Sequence, residues 1–269
     1  MTEISIERFT GYTGIYDLYR PKPPAALTDL LLDIMNTEHA HTVTDLGCGT
    51  GLSTVIWADK ADRIIGIEPN NDMRNKAMNA NYHKSIRYVN GTSYDTGLKD
   101  RSVDVVTCSQ SFHWMEPKAT LKECGRILKK KGLLAVYDND WPPLIEPECD
   151  RAYRELFRQV RSIFKDRKDC LPKEKQYPKE KHLENIERSG IFDFVREMIM
   201  HNTEICDYDR FVGIALSQGS VQTLLKNGIP EINSSIGQFK KRVKHSFAGN
   251  KKRTMWTTYR IRIGIVEKP

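Results

Sequence analysis

Leu27, Leu30, Leu31 and Ile34 recur at helical spacing behind PKPPAAL, whose prolines suit the first turn of a helix. Short apolar runs and helical stretches then alternate. HTVTDL reads as a strand, GCGTG as a turn, LSTVIWADK as a helix and RIIGIE as a second strand. NNDMRNKAMNAN reads as a helix with asparagine capping signals. IRYVN and VDVVTCS give a third and a fourth strand. A helix through Leu121, Cys124, Ile127 and Leu128 stops near Gly132, and LLAVYDND is a fifth strand. Such alternation predicts an α/β fold, a parallel sheet with helices on both faces.

The pattern changes after Asp140. WPPLIEPE reads as a proline-bearing loop, and residues 148–165 as a helix. KDRKDCLPKEKQYPKEKH is polar and charged, which predicts an exposed connection. HLENIERSG is a short helix with Gly190 placed as its stop. FDFVREM is a sixth strand, and residues 207–247 read as helices broken at Gly219 and at Gly228-Ile229-Pro230. Near the end Tyr259, Ile261, Ile263 and Ile265 alternate with Arg260 and Arg262, the signature of a half-buried strand. The expected organisation is one domain over 1–269. Its core is about 25–140 plus strands near 191–198 and 256–266, and helical additions at about 141–181 and 201–254 form a lid.

Composition narrows the class. With 39% hydrophobic and 29% charged residues in 269, the chain is globular. No apolar run is long enough to span a bilayer, and MTEISIERFTGY lacks the apolar region of a secretory signal. The six cysteines are scattered without a CxxC pair, so neither zinc nor any other metal site is expected, and a reduced, cytoplasmic protein is. The formal net charge of +7 fits an acidic small substrate or nucleic acid, and equally mere solubility.

Asp45-Leu46-Gly47-Cys48-Gly49-Thr50-Gly51 lies between a strand and a helix. Glycines there let the backbone turn sharply and approach a ligand without a Cβ clash. The spacing is GxGxG. A nicotinamide-binding loop would place a glycine where Leu52 stands, and no lysine follows as a triphosphate-binding loop requires. Glu68 closes the second strand, where an acidic side chain can accept hydrogen bonds from both ribose hydroxyls of a nucleoside.

On these residues the chain resembles the class I S-adenosylmethionine-dependent methyltransferases, and within them a small-molecule group that includes trans-aconitate methyltransferase. VTDLGCGTG matches that family's cofactor loop, IIGIEPNNDM its ribose strand, VDVVTCSQSFHW the segment facing the methyl group, and LKECGRILKKKGLLAVYD the next helix, turn and strand. The resemblance covers roughly residues 9–140. It implies a Rossmann-like, mostly parallel sheet of seven strands with the last antiparallel, and S-adenosylmethionine as cofactor. Gly47, Gly49 and Gly51 would line the methionine and ribose moieties, Asp45 would sit near the amino group, and Glu68 would hold the ribose. Ser109 falls in the segment facing the methyl. Tyr19 and Arg20, in YDLYRP, resemble a segment that folds over the cofactor. The family often places an acid after the third strand to bind the adenine amine. Thr92 stands there instead, so Thr92 or Ser93 would take that part.

Methyl transfer from a sulfonium needs alignment and exclusion of water, and a base only if the nucleophile arrives protonated. His113 and Trp114 follow the fourth strand, where α/β sheets place ligand-contacting residues. His113 is the candidate base or substrate partner, with a wall residue as the plainer role. Trp114 and Trp141 are candidates for the substrate pocket. Arg20 can hold a carboxylate of cofactor or substrate. The expected acceptor is a small molecule, with a carboxylate as the favoured group. RNA or protein as acceptor is the alternative raised by Lys129-Lys130-Lys131, Lys240-Lys241-Arg242 and Lys251-Lys252-Arg253, and a non-catalytic cofactor-binding protein is a third reading. Neither an RNA-binding module nor an Asn-Pro-Pro-Tyr signature accompanies those clusters.

Overall fold

The computed structural model describes residues 18–167, 176–249 and 251–267. Seven strands form one sheet: β1 Ala40–Leu46, β2 Ala61–Ile67, β3 Ile86–Val89, β4 Val103–Ser109, β5 Leu128–Leu144, β6 Phe194–Cys206 and β7 Arg253–Ile265. Their order is β3-β2-β1-β4-β5-β7-β6. The first five strands pair in parallel, and β7 runs antiparallel to both β5 and β6. This is the Rossmann-like sheet with an antiparallel last strand that the resemblance implied. The strand order reverses between β1 and β4, and a ligand crevice is expected beyond the carboxyl ends of those two strands.

The eight helices among the described residues are α1 Ala26–Ile34, α2 Asn71–Ala80, α3 Pro117–Ile127, α4 Pro147–Asp166, α5 His182–Arg188, α6 Tyr208–Leu216, α7 Gly219–Lys226 and α8 Pro230–Ser246. Local chemistry fixes their starts. Asn70 caps α2 by accepting the Met73 N–H at 3.0 Å. Glu116 accepts from Lys118 and Ala119 ahead of Pro117 at the first turn of α3, and Asp207 caps α6 through Arg210 N at 2.9 Å.

Two apolar clusters fill the space around the sheet, one built on Leu27, Leu31, Trp57 and Tyr137 and the other on Leu46, Ile67, Phe112 and Leu121. A third cluster lies among α4, α6, α7 and α8, where Tyr153, Leu156, Phe211, Leu224, Phe239 and Val243 are buried together. These helices therefore share a core of their own beside the sheet.

Several elements differ from what periodicity predicts. LSTVIWADK holds only a 3₁₀ turn, Thr54–Trp57, rather than a helix. Thr54, Val55 and Ile56 are β-branched, and the Thr54 hydroxyl is drawn off to Asp45 at 2.7 Å. Helix α3 ends at Ile127 rather than near Gly132. Leu128 already pairs with Val103, while Val105 pairs with Leu133, so the lysine run is bulged out of the strand. WPPL is not a loop: β5 continues to Leu144, which pairs with Trp256 after a register shift past Asp140. Strand β7 reaches back to Arg253 and β6 on to Cys206, so residues 201–206 are strand rather than lid.

Candidate functional site

The carboxyl ends of β1, β2, β4 and β5, together with the helices beyond them, enclose a cavity of about 790 Å³. One side is the glycine turn. Gly47, Cys48, Gly49 and Thr50 line it, with Glu68, Leu52 and Met73 beside them. Gly47 and Gly49 hold φ of +62° and +57°, conformations that glycine adopts without strain. Glu68 accepts the Gly49 N–H at 2.9 Å and the Asn70 N–H at 2.8 Å, one on each carboxylate oxygen. Burial pushes its carboxyl up, against those two bonds. Each oxygen of an ionised carboxylate can accept more than one hydrogen bond, so Glu68 can still take the hydroxyls of a ribose. Leu52 and Met73 give an apolar cover beside it. These residues fit S-adenosylmethionine. Glu68 would hold the ribose, with Gly47 and Gly49 admitting the backbone close to the ligand.

The opposite side is built from the ends of β4 and β5, from α4 and from the turn between α6 and α7. Ser109, Gln110, His113 and Trp114 follow β4, Asn139 and Trp141 lie on β5, Phe164 on α4, and Ser217 and Gln218 between α6 and α7. Arg20 stacks over the Trp141 ring at 5.1 Å and donates to the Ser217 carbonyl and to Gln218 Oε1 at 3.2 and 3.3 Å. His113 sits against Trp114, with ring centroids 4.9 Å apart. Its Nδ1 faces the Asp138 carboxylate at 3.6 Å.

Five of the sequence-derived candidates lie off this wall, each for a visible reason. Asp45 is fully buried, accepting the Thr54 and Thr107 hydroxyls at 2.7 and 2.8 Å, and burial pushes its carboxyl up to about 6. Gly51, at φ +86°, lies where a side chain would run into Tyr88, and it does not line the cavity. Tyr19 packs on Gly213 of α6, where any side chain would collide with its ring. Ser93 bonds the Thr120 hydroxyl at 2.8 Å, and Thr92 pairs with Asp95 in an isolated bridge. The cavity thus gathers Gly47, Gly49, Glu68, Ser109, Arg20, His113, Trp114 and Trp141 from the sequence-derived set. Tyr16 of YDLYRP, and Cys170, lie outside the described residues.

Other groups come to the site with no sequence signal. Residues 176–180, expected in an exposed connection, line the cavity. The Tyr177 N–H donates to the His113 carbonyl at 2.8 Å, and Lys179 Nζ reaches Asp138 at 2.7 Å and Gln110 Oε1 at 3.1 Å. Asn139, within LLAVYDND, belongs to no motif. It is nearly buried, and its Oδ1 has no hydrogen-bond partner.

The sheet order and the antiparallel last strand are those of the class I methyltransferase fold. The methyltransferase domain family model matches residues 44–136, the span from the end of β1 to the middle of β5. An uncharacterized methyltransferase of Schizosaccharomyces pombe is 33% identical over 160 residues, which are 55% of this chain and 62% of that protein. One of Mycobacterium tuberculosis is 30% identical over 131 residues, 49% of this chain and 51% of that one. The matches thus span less than two thirds of the relatives' own length. Among solved structures, an Anaeromyxobacter dehalogenans protein assigned to the type II methyltransferases superposes with a TM-score of 0.69 at 19% identity, covering 92% of this chain and 98% of that one. Residues 44–136 therefore match a methyltransferase domain, and the sheet that contains them has the class I methyltransferase fold, whose cofactor loop the residues at Gly47, Gly49 and Glu68 fit.

Proposed function

We propose that the chain transfers the methyl group of S-adenosylmethionine to a small-molecule acceptor bearing at least one carboxylate. The observation that carries this reading is the cavity itself. It has Glu68 and the glycine turn at one side and His113, Trp114 and Trp141 at the other, with Phe164, Tyr177, Ser217 and Gln218 lining it as well. An acceptor of drug size fits a pocket of that volume. Arg20 supports the carboxylate, because its guanidinium lines the wall and is fixed in place by Trp141, Ser217 and Gln218. A planar guanidinium matches a carboxylate in a way that an ammonium does not.

The basic clusters weigh less for RNA or protein. Arg242 pairs with Glu148 at 2.8 Å, Arg253 with Glu146 at 3.4 Å and Lys129 with Asp104 at 2.8 Å, so these members are tied into the fold. Among the described residues no helix is long and apolar enough to cross a membrane.

The test is a parallel screen of methyl transfer to carboxylic acids, phenols and amines, for wild type and Arg20→Ala. Turnover of carboxylate-bearing acceptors, with KM for them raised roughly 10- to 100-fold in Arg20→Ala, supports the reading. Turnover confined to acceptors without a carboxylate, or cofactor binding with no turnover across the panel, contradicts it.

A further inference from the structure

Asp138 is the centre of a buried ionic cluster behind the cavity. It lies on β5 and is 2% exposed. Its Oδ1 meets Lys179 Nζ at 2.7 Å and His113 Nδ1 at 3.6 Å, and its Oδ2 meets Arg262 at 3.2 Å and His182 Nε2 at 3.8 Å. Arg262, on β7, also binds Glu197 of β6 at 2.8 Å. The Arg262–Glu197 pair is structural, joining two strands. Lys179 and His113 are different, because both also line the cavity. The segment that brings Lys179 is itself bound to His113 through the Tyr177 N–H.

We propose that Asp138 is a positioning residue that holds His113 as the base for a hydroxyl or amine of the acceptor, and that Lys179 tunes that base. This rests on the small-molecule reading above and deepens it: Arg20 holds the carboxylate, and a separate protonated group is methylated. At 3.6 Å the Asp138 carboxylate and Nδ1 are not hydrogen-bonded in this structure, but its negative charge favours the proton on that nitrogen, which leaves the lone pair on Nε2. The acceptor O–H or N–H bond breaks and its proton goes to Nε2, while the electron pair left on the acceptor atom forms the new bond to carbon. The bound sulfonium supplies the methyl, its carbon–sulfur pair returning to sulfur as a neutral thioether. The imidazolium formed at His113 is then stabilised by Asp138 and loses its proton to solvent.

The electrostatics around the ring fit this part. Burial pushes the His113 imidazole down, Asp138 raises it, and the positive charges of Lys179 and Arg20 lower it again. His113 therefore enters the reaction neutral. Burial alone would raise the Asp138 carboxyl, but His113 and Lys179 hold it well below the usual carboxylate range, so it stays ionised. His182 and Arg262 face the same carboxylate from α5 and β7.

The experiment follows the ring protons of His113 by NMR titration of the cofactor-free protein, for wild type, Lys179→Met, Lys179→Arg and Asp138→Asn. Lys179→Met is expected to raise the His113 midpoint by roughly one unit, Lys179→Arg to restore it and Asp138→Asn to lower it. With an acceptor from the screen, Asp138→Asn should lower kcat roughly 10²- to 10⁴-fold while leaving the affinity for S-adenosylhomocysteine unchanged, and Lys179→Met should move the acidic limb of the kcat/KM profile upward. A His113 midpoint that is the same in Lys179→Met as in wild type overturns the proposal, even if Asp138→Asn fails to fold. So does full turnover of hydroxyl or amine acceptors by Asp138→Asn. If the wild type methylates nothing in the screen, the function reading fails, and the titration still decides whether the cluster tunes His113.

Discussion

Glu68 binds the backbone N–H of Gly49 at 2.9 Å, so the end of β2 and the turn after β1 are held by the same carboxylate that faces the cavity. The glycine turn and the acidic strand end are thus one unit. Glu68→Gln replaces one acceptor oxygen with an N–H₂ that would meet the Gly49 or Asn70 donor head on. The expected outcome is weaker binding of S-adenosylhomocysteine by about 1–3 kcal/mol, read by calorimetry. Unchanged affinity would remove Glu68 from the cofactor site.

Gly51 and Gly97 both hold positive φ, +86° and +68°, but only Gly51 has a neighbour in the way of a side chain. A Cβ at Gly51 would run into the Tyr88 ring, whereas nothing lies within 4 Å of one at Gly97. Gly97→Ala should therefore cost about 1 kcal/mol of backbone strain, and Gly51→Ala about 1–3 kcal/mol more from the forced repacking. Thermal or denaturant unfolding of the two variants checks the difference. Equal costs would mean that Tyr88 yields freely.

His182 carries a pH dependence of stability. It is fully buried, its ring edge-on to Phe112, and neither ring nitrogen has a hydrogen-bond partner. Burial pushes it down to about 4 from an ordinary 6.5, with the charge of Arg262 adding to the shift and Asp138 opposing it. The unfolded chain takes up a proton as pH falls through 6.5, and the folded chain does so only near 4. The stability that His182 contributes is whole above 6.5 and is lost as pH drops toward 4, by on the order of 3 kcal/mol. Urea unfolding at pH 7 and pH 4.5 should show a smaller fall for His182→Gln than for wild type. Parallel losses in the two proteins would rule His182 out as the source.

The alternating pattern made the sheet and most helices legible, because strands buried on both faces read as apolar runs and the helices between them as amphipathic stretches. GxGxG and Glu68 stood out because a turn at positive φ demands glycine and an acid that closes β2 stands at the ligand end of the sheet, and both do line the cavity. The far side of the cavity was not. Lys179 lies in a charged stretch that composition alone assigns to solvent, and only the fold shows that it turns inward to Asp138. Asp138 and Asn139 look like an ordinary polar strand end, although their neighbours come from β4, α5 and β7, far away in the chain. Thr92 and Ser93 were placed by family position, and the short turn closed by Thr92 and Asp95 keeps them off the cavity wall. The 3₁₀ turn at Thr54–Trp57 escaped because hydrophobic period alone does not register the pull of Asp45 on the Thr54 hydroxyl.

The turn at Gly47–Gly51 and Glu68 are expected to form a site for S-adenosylmethionine rather than for a nicotinamide dinucleotide. Calorimetric titration of the wild-type chain with S-adenosylmethionine, S-adenosylhomocysteine and NAD tests it most directly. Saturable binding of the first two at one site per chain, with no heat from NAD, is the predicted result; tight NAD binding with no affinity for either sulfur compound would contradict the account.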